Sequence, residues 1–301
     1  MGSDRTPARI MKNMAGSIKM RNMGEYMGDY EAKQLILEVG RRMYNKNFVA
    51  ANDGNISCKV GDNELWTTPT GVSKGYMTED ILVKVDLDGN ILRGSTKPSS
   101  ELKMHLRVYR ENPQVKSVVH AHPPVATSFA IAGIPLSRAI LPEAVVQLGE
   151  VPVAPYAAPG TQEVPDSIAP FCKTHNGVLL ANHGALTWGK DPMQAYFRME
   201  SLEYYALVTM YTGSIIGQAN ELSCEQIDQL VDTRTRLGIS TGGRPVCQNV
   251  GKDGVPACME QKKCGGQCTH GGQPPAGADA GTVAMEDIVD IVRQVMARTK
   301  R

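Results

Sequence analysis

The 301-residue sequence has no apolar run long enough to cross a membrane, no surplus of one charge and no internal repeat. A membrane-spanning helix needs about 20 mostly apolar residues, so none is expected. The net charge of +1 gives no electrostatic reason to expect nucleic acid or another polyanion as a partner. The N-terminus also has no long apolar segment of the kind that directs secretion. We therefore expect a cytosolic protein.

Cysteine is sparse, and the seven cysteines form no C-x2-C pair. Cys58, Cys172 and Cys224 are scattered, which is typical of reduced thiols in a cytosolic protein. The other four crowd into one late segment: Cys247, Cys258, Cys264 and Cys268. With His270 they could hold a zinc ion, but their spacing does not match a known zinc motif. We expect a flexible segment with reduced thiols there.

Composition divides the chain into four parts. Residues 1–24 form a basic leader, which we expect to be disordered. Residues 25–237 carry alternating helix and strand patterns and form the main domain. Residues 238–281 are rich in Gly, Pro and Cys, which is typical of a linker. Apolar residues then return at i, i+3, i+4, i+7, i+10 and i+11 from Met285, which predicts an amphipathic helix over 282–301.

Two histidines spaced by one residue follow a short apolar strand pattern. Side chains two apart on a strand lie on the same face, so His120 and His122 converge while Ala121 points into the packing. His183 follows a second buried strand, and Glu101 lies in the first turn of a helix. Three imidazoles with one exchangeable position are typical of a catalytic zinc site. A carboxylate beside the metal can serve as ligand and as general acid–base.

Three polar loops could bind a phosphate group: Gly54-Asn55, Thr70-Gly71 and Ser99-Ser100. Each offers small side chains, hydroxyls or backbone N–H groups. Ser99 or Ser100 is also the expected N-cap of a helix, and helix N-termini favour anions. Singly, each loop is an ordinary turn. Together they could bind a phosphate without the help of a lysine.

Five motifs, in this order along the chain, resemble those of the class II aldolase and adducin family. They are Asn52–Ser57, Thr68–Gly71, Lys97–Glu101, His120–His122 and Ala181–Gly184, and the likeness covers roughly residues 30–220. Pro155-Tyr156 and Pro159-Gly160-Thr161 look most like the L-fuculose-1-phosphate aldolase branch of the family. The resemblance implies an α/β/α fold on a central, mainly antiparallel sheet. It also implies a homotetramer of fourfold symmetry with sites at subunit interfaces.

The same resemblance assigns roles to the candidate site residues. His120, His122 and His183 become ligands of one Zn²⁺ per subunit, and Glu101 becomes the fourth ligand and the acid–base. Six residues become the phosphate site: Gly54, Asn55, Thr70, Gly71, Ser99 and Ser100. The implied reaction cleaves a ketose 1-phosphate, L-fuculose 1-phosphate or a similar 6-deoxyketose phosphate, to dihydroxyacetone phosphate and L-lactaldehyde. The aldolase branch has a catalytic tyrosine where this chain has Glu143, whose role stays open.

Three other functions remain open. A pentulose-phosphate 4-epimerase uses the same zinc chemistry, but it usually carries further His and Asp residues where this chain has Thr161-Gln162-Glu163. A methylthioribulose-phosphate dehydratase would be a lyase on another substrate. An adducin-like scaffold would have lost metal ligands, whereas all four candidates are present here.

The predicted C-terminal helix resembles the encapsulation peptides of enzymes carried in bacterial microcompartments. An apolar stripe at the end of a long linker needs a partner surface. We therefore expect residues 282–301 to bind a shell protein and the enzyme to act inside a microcompartment, where the shell would confine a reactive aldehyde. The alternative is a helix that folds back on its own domain or pairs within the oligomer.

Overall fold

The computed structural model describes residues 26–216 and 219–247. The predicted leader, most of the predicted linker and the predicted C-terminal helix lie outside these ranges. The α-helices are α1 (Asp29–Asn45), α2 (Leu102–Glu111), α3 (Pro124–Ala132), α4 (Pro142–Gln147), α5 (Glu163–Ile168), α6 (Pro192–Ile216) and α7 (Cys224–Arg236). The strands are β1 (Asn55–Gly61), β2 (Glu64–Thr67), β3 (Val83–Val85), β4 (Ile91–Arg93), β5 (Ser117–Ala121), β6 (Val153–Ala154), β7 (Gly177–Leu180) and β8 (Gly184–Gly189). None of the helices in the described ranges has the length and apolar character that crossing a bilayer requires.

The eight strands form one sheet in the order β4-β3-β2-β1-β5-β8-β7-β6. Every neighbouring pair is antiparallel except β6 and β7, which run parallel. Helices α1, α3 and α6 cover one face, and α2 and α5 cover the other. The predicted α/β/α fold with a mainly antiparallel sheet is therefore confirmed.

Strand β5 lies near the middle of the sheet and is buried along its whole length. Val118 packs into the layer of α2, whereas Val119 and Ala121 pack into the layer of α1. Because side chains alternate along a strand, His120 lies on the same face as Val118. This is the face over which α2 begins, so β5 and the N-terminus of α2 meet at one end of the sheet.

The beginning of helix α2 differs from the sequence expectation. Its N-cap is Glu101, not Ser99 or Ser100 as predicted. The Ser99 hydroxyl instead accepts a hydrogen bond from the Glu101 N–H at 3.3 Å, in a turn just outside the helix. Glu101 therefore lies at the cap position, where its side chain makes no capping hydrogen bond. The carboxylate is free to take part in the site.

The end of the domain also differs from the sequence expectation. A disulfide joins Cys224, the first residue of α7, to Cys247, so the prediction of reduced thiols is wrong for this pair. The Val246 N–H donates to the Ser137 carbonyl at 3.1 Å, which returns the chain to the domain beside α7. The packing thus continues ten residues beyond the predicted boundary at residue 237. Cys58 and Cys172 are buried free thiols.

Candidate metal centre and phosphate cleft

The four candidate metal ligands come from three separate parts of the fold. His120 and His122 lie at the end of β5 and just after it, and Glu101 is the N-cap of α2. His183 lies in the turn from β7 to β8, after Asn182, whose backbone is left-handed with φ of 57°. Residues distant in sequence are thus brought to one end of the sheet.

The ligand atoms converge on one point. The Nε2 atoms of His120 and His122 are 3.1 Å apart. The Glu101 carboxylate lies 3.4 Å from His120 Nε2 and 3.2 Å from His183 Nε2. Ligands at about 2.0–2.1 Å from a tetrahedral Zn²⁺ are about 3.3 Å from one another. The donor set therefore has the spacing that a zinc ion requires.

Neighbouring groups fix which nitrogen of each imidazole faces this point. His120 Nδ1 lies 2.9 Å from the Ala185 carbonyl oxygen, which can only accept, so Nδ1 carries the proton and Nε2 presents a lone pair. His122 Nδ1 lies 3.4 Å from the Asp53 carboxylate, which favours the same tautomer. Carbonyl and carboxylate partners of this kind commonly orient metal-binding histidines.

The charge states suit a cation. Burial lowers the pKa of His120 to about 3 and also lowers the pKa of His122. Both imidazoles are therefore neutral at pH 7, which is the form that binds metal. Two neutral Nε2 lone pairs facing each other repel unless a cation or a proton lies between them. A divalent cation held by both nitrogens would remove this repulsion.

Glu101 is ionised in this setting. Burial by itself would raise the pKa of its carboxyl group, but His120, His183 and Asn55 together lower that pKa well below its usual range. The Asn55 amide donates to the Glu101 carboxylate at 2.8 Å. Asn55, predicted as a phosphate ligand, therefore also holds the carboxylate in place.

All six predicted phosphate residues line one cleft of about 210 Å³, together with Glu101, His122 and His183. The loops are tied to each other, since the Thr70 N–H donates to the Lys97 carbonyl at 3.0 Å and the Ser99 N–H to the Thr68 carbonyl at 3.2 Å. The structure thus places the predicted phosphate residues and three of the four predicted metal ligands around one small cavity, with His120 buried beside it.

Sequence reasoning missed two side chains of this cleft. Asp53, which contacts His122, lies inside the Asn52–Ser57 motif, where the sequence pattern indicates only a turn. Lys74 also lines the cleft, whereas the sequence reasoning considered a phosphate site formed without lysine. By contrast, Glu143 is exposed on α4 and lines a different cavity, of about 570 Å³.

Comparison with known proteins agrees with this geometry. The family model described as the class II aldolase and adducin N-terminal domain matches residues 34–210. A 3-oxo-tetronate 4-phosphate decarboxylase of Haemophilus influenzae is 34% identical over 59% of this chain and 86% of its own length. An L-fuculose phosphate aldolase of Methanococcus maripaludis is 34% identical over 56% of this chain and 91% of its own.

A solved structure extends the likeness to the fold. The L-fuculose-1-phosphate aldolase of Thermus thermophilus superimposes with a TM-score of 0.56 and 29% identity, covering 64% of this chain and 98% of that one. The family match over residues 34–210 includes the sheet, the histidine cluster and the polar loops described above. The chain belongs to the class II aldolase and adducin family, as one of its aldolase-type lyases.

Proposed function

We propose that the chain is a zinc-dependent aldolase that cleaves a ketose 1-phosphate, such as L-fuculose 1-phosphate or a similar 6-deoxyketose phosphate. The products would be dihydroxyacetone phosphate and L-lactaldehyde. The observation that carries the proposal is one cleft lined by His122, His183, an ionised Glu101 and two tied polar loops, with the buried His120 converging on the same point. The aldolase relatives act on a phosphorylated sugar by name, which supports the substrate class.

The residues have defined tasks in this reaction. A zinc ion held by His120, His122 and His183 would supply Lewis acidity toward the ketone and hydroxyl oxygens of the substrate. Breaking the C3–C4 bond leaves the electron pair on the phosphorylated fragment as an enediolate, releases C4 as an aldehyde and takes one proton from the C4 hydroxyl. The enediolate gains one proton at C3, so the reaction is proton-neutral overall. The ionised Glu101 would first take up a proton and then deliver it to C3, and its carboxylate form would remove the same proton in the reverse direction.

The proton transfer can be tested without the aldehyde. In D₂O, the zinc-loaded protein should exchange one carbon-bound proton of dihydroxyacetone phosphate, which NMR measures directly. Glu101→Gln should keep the metal and lower the exchange rate by about 10²–10⁴-fold, because an amide cannot carry the proton. Glu111→Gln, at the other end of α2, is the matched control and should exchange normally. Exchange at the wild-type rate in Glu101→Gln would refute the role.

A second reaction fits the same cleft. The decarboxylase relative acts, by name, on 3-oxo-tetronate 4-phosphate. Loss of CO₂ from C1 of that molecule leaves the same three-carbon enediolate phosphate, and protonation at carbon again gives dihydroxyacetone phosphate. CO₂ departs without losing a proton, whereas an aldehyde forms only when the C4 hydroxyl is deprotonated. Among the described residues, no tyrosine lines the cleft to accept that proton, which favours this alternative.

The two reactions can be distinguished by the fragment that leaves, which is an aldehyde in the aldolase reaction and CO₂ in the decarboxylase reaction. Purified protein is incubated with each substrate, and dihydroxyacetone phosphate, CO₂ and L-lactaldehyde are measured. Production of the aldehyde from L-fuculose 1-phosphate supports the aldolase, and CO₂ from 3-oxo-tetronate 4-phosphate supports the decarboxylase. Adding a pentulose phosphate and methylthioribulose phosphate to the panel tests the remaining enzymatic alternatives, because a 4-epimerase returns a ketose phosphate and a dehydratase returns a dehydrated sugar phosphate and water.

We further propose that the enzyme is a homotetramer in which neighbouring subunits complete each site. Residues 282–301 are proposed to bind a microcompartment shell protein, which would locate the enzyme inside the shell. The support for both is the family resemblance and the apolar spacing from Met285.

A further inference from the structure

Lys74 is a buried cation at the wall of the cleft. It begins the short 3₁₀ turn Lys74–Tyr76, three residues after Gly71. The residue is 1% exposed, although it lines the cavity that holds the polar loops and Glu101. A lysine is almost never fully buried unless its charge has a partner, so its position calls for one.

The structure provides hydrogen-bond acceptors for the Lys74 ammonium, but among the described residues it provides no carboxylate in a salt bridge with it. The Lys74 ammonium donates to the Asn52 carbonyl at 2.8 Å and to the Val72 carbonyl at 2.6 Å. An ammonium group has three N–H donors, so one is not accounted for by these bonds. Both acceptors are neutral, and in the described chain no carboxylate forms a salt bridge with this group.

The acidic groups of the cleft have partners of their own. Asp53 contacts His122, and Glu101 accepts from Asn55 and contacts His183. Burial lowers the pKa of Lys74 to about 8, against the opposing effect of Asp53 and Glu101. The ammonium thus lacks a close counter-charge, and a bound anion in the cleft would provide both the charge and the third acceptor.

We propose that Lys74 binds the phosphate group of the substrate and makes the cleft selective for phosphorylated over unphosphorylated ligands. This inference rests on the proposed function of the cleft. Ser99, Ser100 and Thr70 supply neutral donors to the phosphate oxygens, and Lys74 supplies the charge. The two carbonyl bonds hold the ammonium in position before the ligand arrives, so the lysine loses little rotational freedom on binding.

A purely structural role for Lys74 predicts a different outcome. The two carbonyls belong to the loop before β1 and the loop after β2, and the lysine could simply join them. In that case its loss would weaken every activity of the cleft equally. Lys74→Gln separates the roles, because its amide still offers two N–H donors while the charge is removed.

The experiment measures binding of inorganic phosphate to the full-length, zinc-loaded protein by calorimetry. Lys74→Gln should weaken phosphate binding roughly 10- to 100-fold, the range for hydrogen bonds to charged groups, and Lys74→Arg should restore part of it. The control is Lys59→Met, since Lys59 is also buried, at 5% exposure, but contacts Tyr26 and Tyr109 instead of the cleft. It should bind phosphate as the wild type does.

A second readout is the ratio of kcat/KM for a ketose 1-phosphate to that for the free ketose. Lys74→Gln should lower this ratio through KM, whereas a structural role would lower both values together. Unchanged phosphate affinity and an unchanged ratio would overturn the inference while leaving the proposed aldolase intact. Lys74-dependent phosphate binding by a protein that cleaves neither candidate substrate would support the inference and reject the proposed function.

Discussion

At the residue scale, the central feature is a set of three imidazoles whose ring nitrogens converge on one point. His120 is oriented by a backbone carbonyl and His122 by the Asp53 carboxylate, in both cases through Nδ1. His183 contacts the Glu101 carboxylate through Nε2. The rings of His120 and His122 are thus oriented by contacts on the side away from the proposed metal.

The first prediction removes one of these ligands. His122→Ala should lose most of the bound zinc, because two imidazoles and a carboxylate remain and the Asp53 contact has no function without the ring. Metal analysis of the purified protein measures this loss. His175→Ala, a histidine outside the cluster whose backbone carbonyl still accepts from Trp188, should keep its zinc.

The tail cysteines could retain metal in either variant. Substitution with Co²⁺ separates the two sites, because thiolate ligands give charge-transfer absorption that imidazoles do not. A His122→Ala protein with a full imidazole-type Co²⁺ spectrum would contradict the assignment.

At the element scale, two tight contacts position the cluster. A Cβ atom on Gly184 would lie 2.6 Å from both the Ala121 carbonyl oxygen and His122 Cδ2. The start of β8 therefore packs directly against the end of β5, and only glycine leaves room for the His122 ring. Any side chain there must displace either backbone or ligand.

The second prediction tests this contact. Gly184→Ala should weaken zinc binding at least tenfold and lower the melting temperature, because the new methyl group pushes His122 away from its position. A chelator competition titration and a thermal melt measure the two effects. Gly213→Ala, in helix α6 with no atom within 4 Å of the added carbon, should keep its zinc affinity and gain up to about 1 kcal/mol of stability. Equal behaviour of the two variants would reject the argument.

Helix α2 is joined to β1 by a buried polar contact next to the site. Ser57 contacts His105 Nδ1 and the Tyr109 hydroxyl, both at 2.7 Å, on the strand that also carries Asn55. Burial lowers the pKa of His105 to about 3. The folded protein therefore keeps this imidazole neutral, whereas the unfolded chain protonates it near pH 6.5.

The third prediction follows from the sign of this shift. Between about pH 6.5 and pH 3 the unfolded state binds one more proton at His105 than the folded state, so stability falls as the pH falls. The loss is about 1.4 kcal/mol per pH unit for one group. The free energy of unfolding is measured by urea titration at pH 6 and at pH 5, at fixed protein concentration. Between these two pH values it should decrease less for His105→Gln than for the wild type, and the difference should be about this amount. The same decrease in both proteins would contradict the assignment.

The sequence predicted the elements that carry strong periodicity and missed those held by tertiary contacts. The alternation around His120 and the buried pattern before His183 placed both strands and hence three ligands. Helix α4 was not predicted, because its six residues are too few for a period to be visible. The burial of Lys74 could not be predicted either, since it depends on the Asn52 carbonyl from a loop 22 residues away.

At the scale of the whole molecule, the two faces of the sheet differ in the polarity of the residues that cover them. The layer of α1, α3 and α6 is mainly apolar, while the layer of α2 carries Glu101, His105 and Tyr109 against the polar residues of β1. The substrate cleft lies at the end of this second layer. All four proposed metal ligands and all six proposed phosphate residues lie within the described domain.

The fourth prediction concerns the proposed targeting helix, which lies outside the described residues. Replacing Ile288 and Val292 by Glu puts two charges in the centre of its apolar stripe. Turnover in solution should be unchanged, while co-purification with shell protein, or targeting of a fused fluorescent protein, should be lost. Replacing Asp287 and Asp290 by Asn, off the stripe, is the matched control and should leave targeting intact. Loss of turnover or of oligomeric state in the Ile288/Val292 variant would show that the helix belongs to the enzyme's own fold.

The disulfide between Cys224 and Cys247 makes residues 224–247 a covalent ring. Cys247 is therefore attached to the domain by two routes, one through the peptide chain and one through sulfur. A protease that cuts once inside this ring would produce two polypeptides that still migrate together until a reductant is added. A single cut after Cys247 would release everything that follows it, so the disulfide protects the attachment only against cleavage between residues 224 and 247.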